Sequence, residues 1–369
     1  MKRFWKILLI FALVLSIITL AACAAKDPYL AVSKSAEQSD IIAKLDDFMT
    51  DFSDTYSFSG SVLIAKSGEV LLNKGYGMAD YDNSIPNNPH KVFYVASVTK
   101  QFTATAIMML QERGLLSTTD TLDKYFPDFP EGEKISIHNL LTHTSGLKDF
   151  YPQSVVETKV YTPDDLINIF KGKLLNFEPG KKYQYSNSNY ALLGAIIEKV
   201  SGISYEDFLR ENIFKPLEMN STGFNLKDFP ADNQTKGYIN IQRQEDSNHK
   251  VTYMTSKSRI FEPTMLYSAG NICTSTEDLY KWDQALYTEK IVKKETLEKM
   301  FTPFMENYGY GWTIMKWGSN NMIFHAGKTF GYYSVIVRYP DTKYVLIILS
   351  NRENYDAVKL VDGLNELLK

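Results

Sequence analysis

Cysteine is almost missing from this 369-residue chain: Cys23 and Cys273 are the only two. There is no paired-cysteine motif and no His-Glu-X-X-His, so nothing requires a metal and no cofactor is expected. A Gly-X-Ser-X-Gly elbow is also absent, which argues against a Ser-His-Asp triad on an α/β-hydrolase fold. An excess of either charge is lacking too: 40 Lys and Arg face 43 Asp and Glu, a formal net charge of -3. That leaves no basic field for nucleic acid and no acidic tail for a cationic partner. No internal repeat is found, and no low-complexity tract beyond the first forty residues. What remains is the make-up of a soluble globular protein, 44% hydrophobic and 22% charged, able to bury a large core.

The one long apolar run is at the start. Lys2, Arg3 and Lys6 precede Ile7 to Ala22. As a helix this run spans about 24 Å at ~1.5 Å per residue. That is short of a bilayer core of about 30 Å, and it reads as a signal h-region. It ends in Leu20-Ala21-Ala22-Cys23, which resembles the lipobox of bacterial lipoproteins. The resemblance implies a signal peptide over 1–22, a lipid on Cys23 and an exported protein anchored in a bacterial cell envelope. Cys273 is then the only thiol left, and no internal disulfide can form. Ordinary cleavage near Ala22 to Ala24, or an uncleaved anchor, are the alternatives. Residues 23–38 are small and polar, a flexible tether, and the folded domain is expected over 39–369.

Ser39-Asp40 offers a helix N-cap, followed by Ile41, Ile42, Leu45, Phe48, Met49 and Phe52 at helical spacing. Phe58 to Ala65 and Glu69 to Tyr76 are β-prone and meet at Ser67-Gly68, a hairpin signal. Tyr310 to Trp317, Met322 to His325, Tyr332 to Tyr339 and Tyr344 to Leu349 read as further strands, and Tyr355 to Leu368 as a closing helix. The middle, roughly 97 to 300, is mostly helical: Ser97 to Arg113, Pro163 to Phe170, Tyr190 to Val200, Tyr205 to Ile213 and Thr276 to Tyr287. Asn225 to Glu262 is polar and irregular, a surface excursion with short strands. The expected class is α+β, an α/β sandwich. One antiparallel sheet from both chain ends is flanked by helices and carries a large helical insertion, with the active site at their junction.

Three short motifs carry chemistry. In Ser97-Val98-Thr99-Lys100, a helix opening near Ser97 puts hydroxyl and amine on one face. The positive helix end adds field there. Ser145-Gly146-Leu147-Lys148 and Ser247-Asn248-His249-Lys250 have the same form, but neither opens an amphipathic helix. Tyr185-Ser186-Asn187 follows a Gly180 turn and directly precedes a helix; Tyr81-Asp82-Asn83 and Tyr238-Ile239-Asn240 share its form without that setting. His325-Ala326-Gly327 ends an apolar run, and its small residues let a substrate lie against the backbone. Each alone also fits a structural role.

In this order the three motifs resemble those of the class C β-lactamase and DD-peptidase superfamily, in its His-X-Gly branch of esterases and D-aminopeptidases. Supporting segments are Leu140-Leu141-Thr142-His143-Thr144-Ser145-Gly146-Leu147, Ser268-Ala269-Gly270, Tyr308-Gly309-Tyr310-Gly311-Trp312 and Leu349-Ser350-Asn351. The resemblance runs from about Phe58 to Asn351. It implies a β-lactamase/transpeptidase-like fold, Ser97 as nucleophile, and Lys100 and Tyr185 as the proton-handling pair. Asn187 would bind the substrate amide. His325 stands where many relatives carry a lysine, and Lys328 would supply an oxyanion-hole N–H beside that of Ser97. Lys328 is also the nearest replacement for the missing cation. His143, in a small-residue turn, is read as a backbone partner.

Ionising a tyrosine at pH 7 costs about 4 kcal/mol, at ~1.36 per unit. A cation about 4 Å away returns about 4 kcal/mol at an effective dielectric of ~20. By this arithmetic Lys100 suffices to make Tyr185 a base. The expected function is a serine hydrolase forming an acyl-enzyme on Ser97, cleaving an ester or a D-amino-acid or cell-wall amide rather than acting as an efficient β-lactamase. The expected partners are a small-molecule or peptidoglycan-related substrate and, through the lipid, a membrane. The rival is a tethered, non-catalytic penicillin-binding sensor or cell-wall-binding protein of the same fold.

Overall fold

The nearly unbroken apolar runs of the last two strand segments dictate a sheet buried on both faces. A computed structural model describes residues 38–151 and 158–368. The signal segment, Cys23 and the tether up to residue 37 lie outside these described residues. Strands β1 (Gly60–Lys66) and β2 (Glu69–Tyr76) form a hairpin through Ser67 and Gly68, both at positive φ, as a two-residue turn of this hand demands. They join β3 (Thr313–Trp317), β4 (Asn320–Thr329), β5 (Tyr332–Tyr339) and β6 (Tyr344–Ser350) in the order β2-β1-β6-β5-β4-β3. All pairs are antiparallel; β1 lies along β6, with Gly60 opposite Ser350 and Lys66 opposite Tyr344. One sheet is thus made from the two ends of the chain.

Leu63, Ala65, Val345, Ile347 and Leu349 face inward to the helical region. Their neighbours Val62, Ile64, Leu346 and Ile348 face outward, under helices α1 (Gln38–Tyr56) and α6 (Ala357–Leu367). Between the chain ends lie α2 (Thr99–Glu112), α3 (Asn187–Ser201), α4 (Tyr267–Gly270) and α5 (Thr276–Ala285). α3 is buried through Ser188 to Ile197 and contacts α2 and α4. Among the described residues no helix is long and apolar enough to cross a membrane.

Three boundaries differ from expectation, each for a local reason. α3 opens at Asn187 rather than near Tyr190, which moves Asn187 from a loop into the first helical turn. β4 runs on to Thr329, because β5 keeps pairing with it through Gly327 and Lys328. β3 starts at Thr313, since Gly311 turns the chain at φ 78°. The excursion after Asn225 contains a hairpin of Tyr238–Glu245 with Val251–Lys257.

Arg338 of β5 reaches inward to Asp283 of α5 at 2.9 Å, both side chains almost fully buried. The guanidinium also lies over the rings of Tyr287 and Phe301. Removing one member of such a pair strands a buried charge, at a cost of about 3–5 kcal/mol. Arg338→Met is therefore expected to lose about that much stability in urea unfolding followed by circular dichroism. A loss under about 1 kcal/mol would show that the pair does not tie helix to sheet.

Candidate active site

A turn held under strain presents the first motif. Ala96 sits at φ 46°, a left-handed conformation that a side chain disfavours, and Ser97 follows in a 3-10 turn (Ala96–Val98) that runs into α2. The Val95 carbonyl accepts the Ser334 hydroxyl at 2.7 Å, which ties this turn to β5. β4 presses on it as well. A Cβ on Gly327 would lie 2.1 Å from the Val95 oxygen and 2.9 Å from the Ser97 nitrogen. Gly327 is thus small because the nucleophile's own turn occupies its side-chain space.

One turn into α2, Lys100 is fully buried. Its Nζ lies 3.1 Å from Ser97 Oγ, 2.9 Å from Asn187 Oδ1 and 2.8 Å from the Ala269 carbonyl. A neutral amine has two N–H groups and one lone pair. Asn187 and Ala269 can take the two hydrogens, which aims the lone pair at the Ser97 hydroxyl. Tyr185 donates its O–H to Ser97 Oγ at 2.8 Å, and its ring lies 4.8 Å from the Lys100 Nζ. The oxygens of Ser97 and Tyr185 are therefore in contact.

Burial pushes the Lys100 amine down to about 7, against a weaker upward pull from Asp149. Burial likewise drives the Tyr185 phenol well above its ordinary value; the Ser97 hydrogen bond works the other way and does not offset it. The expectation that Lys100 turns Tyr185 into a phenolate base fails on this point. It counted the attraction between the charges and left out the loss of water around both, and a drop from 10.5 to about 7 for Lys100 alone corresponds to about 5 kcal/mol. The resting pair is a neutral phenol beside an amine poised to take a proton.

His325 lies at the same wall. Its Nδ1–H donates to the Ala326 carbonyl at 2.7 Å, and its Nε2 accepts the Tyr308 O–H at 2.9 Å. Burial first, and the Lys100 charge second, push it down to about 3, so it carries no charge at neutral pH. The Lys328 ammonium is engaged at the rim, 3.4 Å from Glu353 and 3.0 Å from Asn354. It does not replace the missing cation. Asn187 also departs from its expected duty. Its Oδ1 holds Lys100 and its Nδ2 donates to Asp149 Oδ2 at 3.1 Å, so it acts first on the base, with one N–H and one lone pair left for a substrate. Gly327 works through the packing described above.

Three residues of the site escaped the sequence reading as site members. Asp149 accepts backbone N–H groups of Tyr151 and Asn187 and the Asn187 amide, with burial pushing its carboxyl up. Tyr308 closes on His325. His143, whose Nδ1 accepts the Ser186 N–H at 3.2 Å, lies tilted 4.2 Å from the Tyr185 ring and edge-on 4.8 Å from Tyr308. His143 and Tyr308 both lie in the supporting segments, which was the available signal; Asp149 had none. The other two Ser-X-X-Lys stretches lie elsewhere: Ser145 is buried on Asn189, and Ser247 lies in the turn of the Tyr238–Lys257 hairpin. Ser97, Tyr185, Asn187 and His325 line a cleft of about 580 Å³ with Tyr151, Tyr183 and Leu266.

Asp149 positions the base by fixing Asn187 and raising Lys100. Asp149→Asn removes the negative charge, so the Lys100 amine should titrate lower. Labelling of the protein by an activated ester requires the free amine, and its rising limb near pH 7 should move at least half a unit towards acid, with a lower plateau. An unmoved limb in pH-dependent labelling kinetics would remove Asp149 from this role.

Comparison with known proteins agrees with the geometry. The beta-lactamase family profile matches residues 45–368. A penicillin-binding protein of Bacillus subtilis is 33% identical over 318 residues, 81% of this chain and 69% of that protein. Protein flp of Staphylococcus aureus is 30% identical over 319 residues, 83% of this chain and 62% of flp. With PbpX of Bacillus subtilis, 39% identical over 262 residues, the match covers 70% of this chain. The matches thus span only 62% to 69% of these relatives' own length. Among solved structures, D-amino acid amidase from Ochrobactrum anthropi, complexed with L-phenylalanine amide, superposes with a TM-score of 0.76. It is 26% identical and covers 88% of this chain and 98% of that one. With a matching profile over almost the whole described chain and the motifs of that family gathered round one serine, the protein belongs to the beta-lactamase family of serine hydrolases.

Proposed function

We propose that this protein is an exported acyl hydrolase that forms an acyl-enzyme on Ser97. The observation that carries the reading is the Ser97 oxygen held between the Lys100 amine and the Tyr185 phenol. The neutral amine takes the Ser97 proton as Oγ bonds to the substrate carbonyl carbon. The oxyanion is met by the backbone N–H of Ser97 and of Lys328, on the strand that packs against the serine turn. When the tetrahedral species collapses, the carbon–oxygen or carbon–nitrogen bond breaks. The leaving group receives the Tyr185 proton, which the Lys100 ammonium restores. Water then repeats the sequence on the acyl-enzyme with the same groups.

The substrate reading follows from charge. His325 is neutral and Lys328 is paired with Glu353, so among the described residues the wall beside the nucleophile offers no unpaired cation for a carboxylate. This disfavours a β-lactam or a free D-Ala terminus. It favours an ester, or an amide of the kind suggested by the likeness to D-amino acid amidase. The basic start, the apolar run and Leu20-Ala21-Ala22-Cys23 support a lipid on Cys23 and a place in the cell envelope.

Exposure to a fluorophosphonate should add one adduct to Ser97 in intact-mass and peptide spectra. Ser97→Ala should lower hydrolysis of p-nitrophenyl acetate by roughly a thousandfold or more. The wild type should cleave esters and D-amino-acid amides faster than a chromogenic cephalosporin. Absence of the adduct in folded protein would sink the reading. For the anchor, expression with the native leader should give a membrane-bound protein, and Cys23→Ser should release it or leave it unprocessed. A membrane-free wild type would refute the lipid.

A further inference from the structure

Strand β3 pairs with β4 only as far as Phe324, opposite Thr313. Beyond it, residues 325–329 of β4 have no paired strand on that side among the described residues. The β4 backbone edge past Phe324 is therefore unpaired, with the Tyr308 side chain reaching His325 there. On the inner face lies the cleft of Ser97. On the outer face lies a second cavity of about 270 Å³, walled by Met315 and Trp317 of β3, Met322, Phe324 and Ala326 of β4, and Val361 of α6. Met315, Phe324 and Ala326 wall both spaces. The two cavities thus border one another at the unpaired stretch of β4.

The outer cavity is apolar. α1 packs on β2 and α6 packs on α1, while Met315, Trp317, Phe324 and Ala326 at the other end of the sheet remain partly exposed. Two methionines and a tryptophan make a pliable wall suited to hydrocarbon. The polar residues at its border are Asp362 and Asn365, and neither offers a positive charge to an anionic occupant. A groove of about 270 Å³ is roomy enough for an unbranched alkyl chain of medium length.

We infer that this groove receives the acyl chain of the substrate, which passes from the Ser97 cleft over the unpaired edge of β4 to the outer face of the sheet. The assignment rests on the acyl-hydrolase reading above. The acyl side is chosen because the leaving group takes its proton from Tyr185 and so departs toward the α3 side. The group left on the serine then lies along β4. A medium-chain acyl ester or amide becomes the preferred substrate class.

The test is a series of p-nitrophenyl alkanoates from two to ten carbons, with a binding measurement that needs no turnover. In a half-open groove, each methylene should gain about half of its full transfer free energy, near twofold in kcat/KM, up to about eight carbons. Val361→Trp, which fills the groove, should flatten the series beyond four carbons and leave acetate turnover unchanged. Separately, 10-bromodecan-1-ol should quench Trp317 saturably in Ser97→Ala. That quenching should be lost when Trp317→Phe is added, since Trp282 and Trp312 are buried elsewhere and Trp5 lies outside the described residues. A flat series in an enzyme that turns over the acetate overturns the assignment, as does quenching without saturation. A protein inert to the acetate overturns the hydrolase reading instead. The bromoalcohol arm then still decides whether the groove takes an alkyl chain.

Discussion

The chemistry of this cleft depends on keeping the amine of Lys100 where water does not reach it. In water a lysine at neutral pH is an ammonium and useless as a base. Here burial brings it down to about 7, and three oxygens around Nζ fix its direction. Those oxygens come from distant parts of the chain: Ser97 from its own turn, Asn187 from the start of α3, and the Ala269 carbonyl from α4. Much of the packing in the helical region serves to bring these together. Gly194 on α3 is one example. A Cβ there would meet Ser268 Oγ at 2.1 Å, so only glycine lets α4 approach closely enough for its carbonyl to face the amine.

The same dryness sets the state of every neighbour. A site that lowers a lysine must raise a phenol and lower an imidazole, because each is then driven to its neutral form. Tyr185 stays protonated and donates to Ser97; His143 and His325 stay uncharged and accept hydrogen bonds. Asp149 is the counterweight, a half-buried carboxylate that pulls the Lys100 value upward. Its three hydrogen bonds come from neutral donors, two backbone N–H groups and the Asn187 amide. The result is a proton-transfer site with little net charge and, among the described residues, a wall without a free cation beside the nucleophile. The proposed preference for a neutral acyl donor over a carboxylate-bearing one rests on that balance.

The sheet contributes position. β5 ties the serine turn through Ser334, β4 passes beside it at Gly327, and the short β3 leaves the rest of the β4 edge unpaired. The closing Asn351 staples the two ends of the chain. Its amide nitrogen donates to the Met78 and Lys236 carbonyls, and its Oδ1 accepts from Ser59 and Asn87.

Read by itself, the sequence determined the sheet built from both chain ends, because β-prone runs and hairpin signals are local and survive any tertiary setting. It also singled out Ser97, Lys100 and Tyr185, because three ordered motifs with supporting segments are rare as a set. It missed the length of β4, since Gly327 and Lys328 look like a strand end until β5 is seen to pair with them. It gave no sign of Asp149, whose importance exists only because Asn187 folds back upon it. Most of all, it left out the loss of water that keeps the Tyr185 phenol protonated and lowers the Lys100 amine. Spacing along a chain reports which groups can meet, whereas a proton's place depends on how much water the assembled structure leaves around them, and only the tertiary fold decides that.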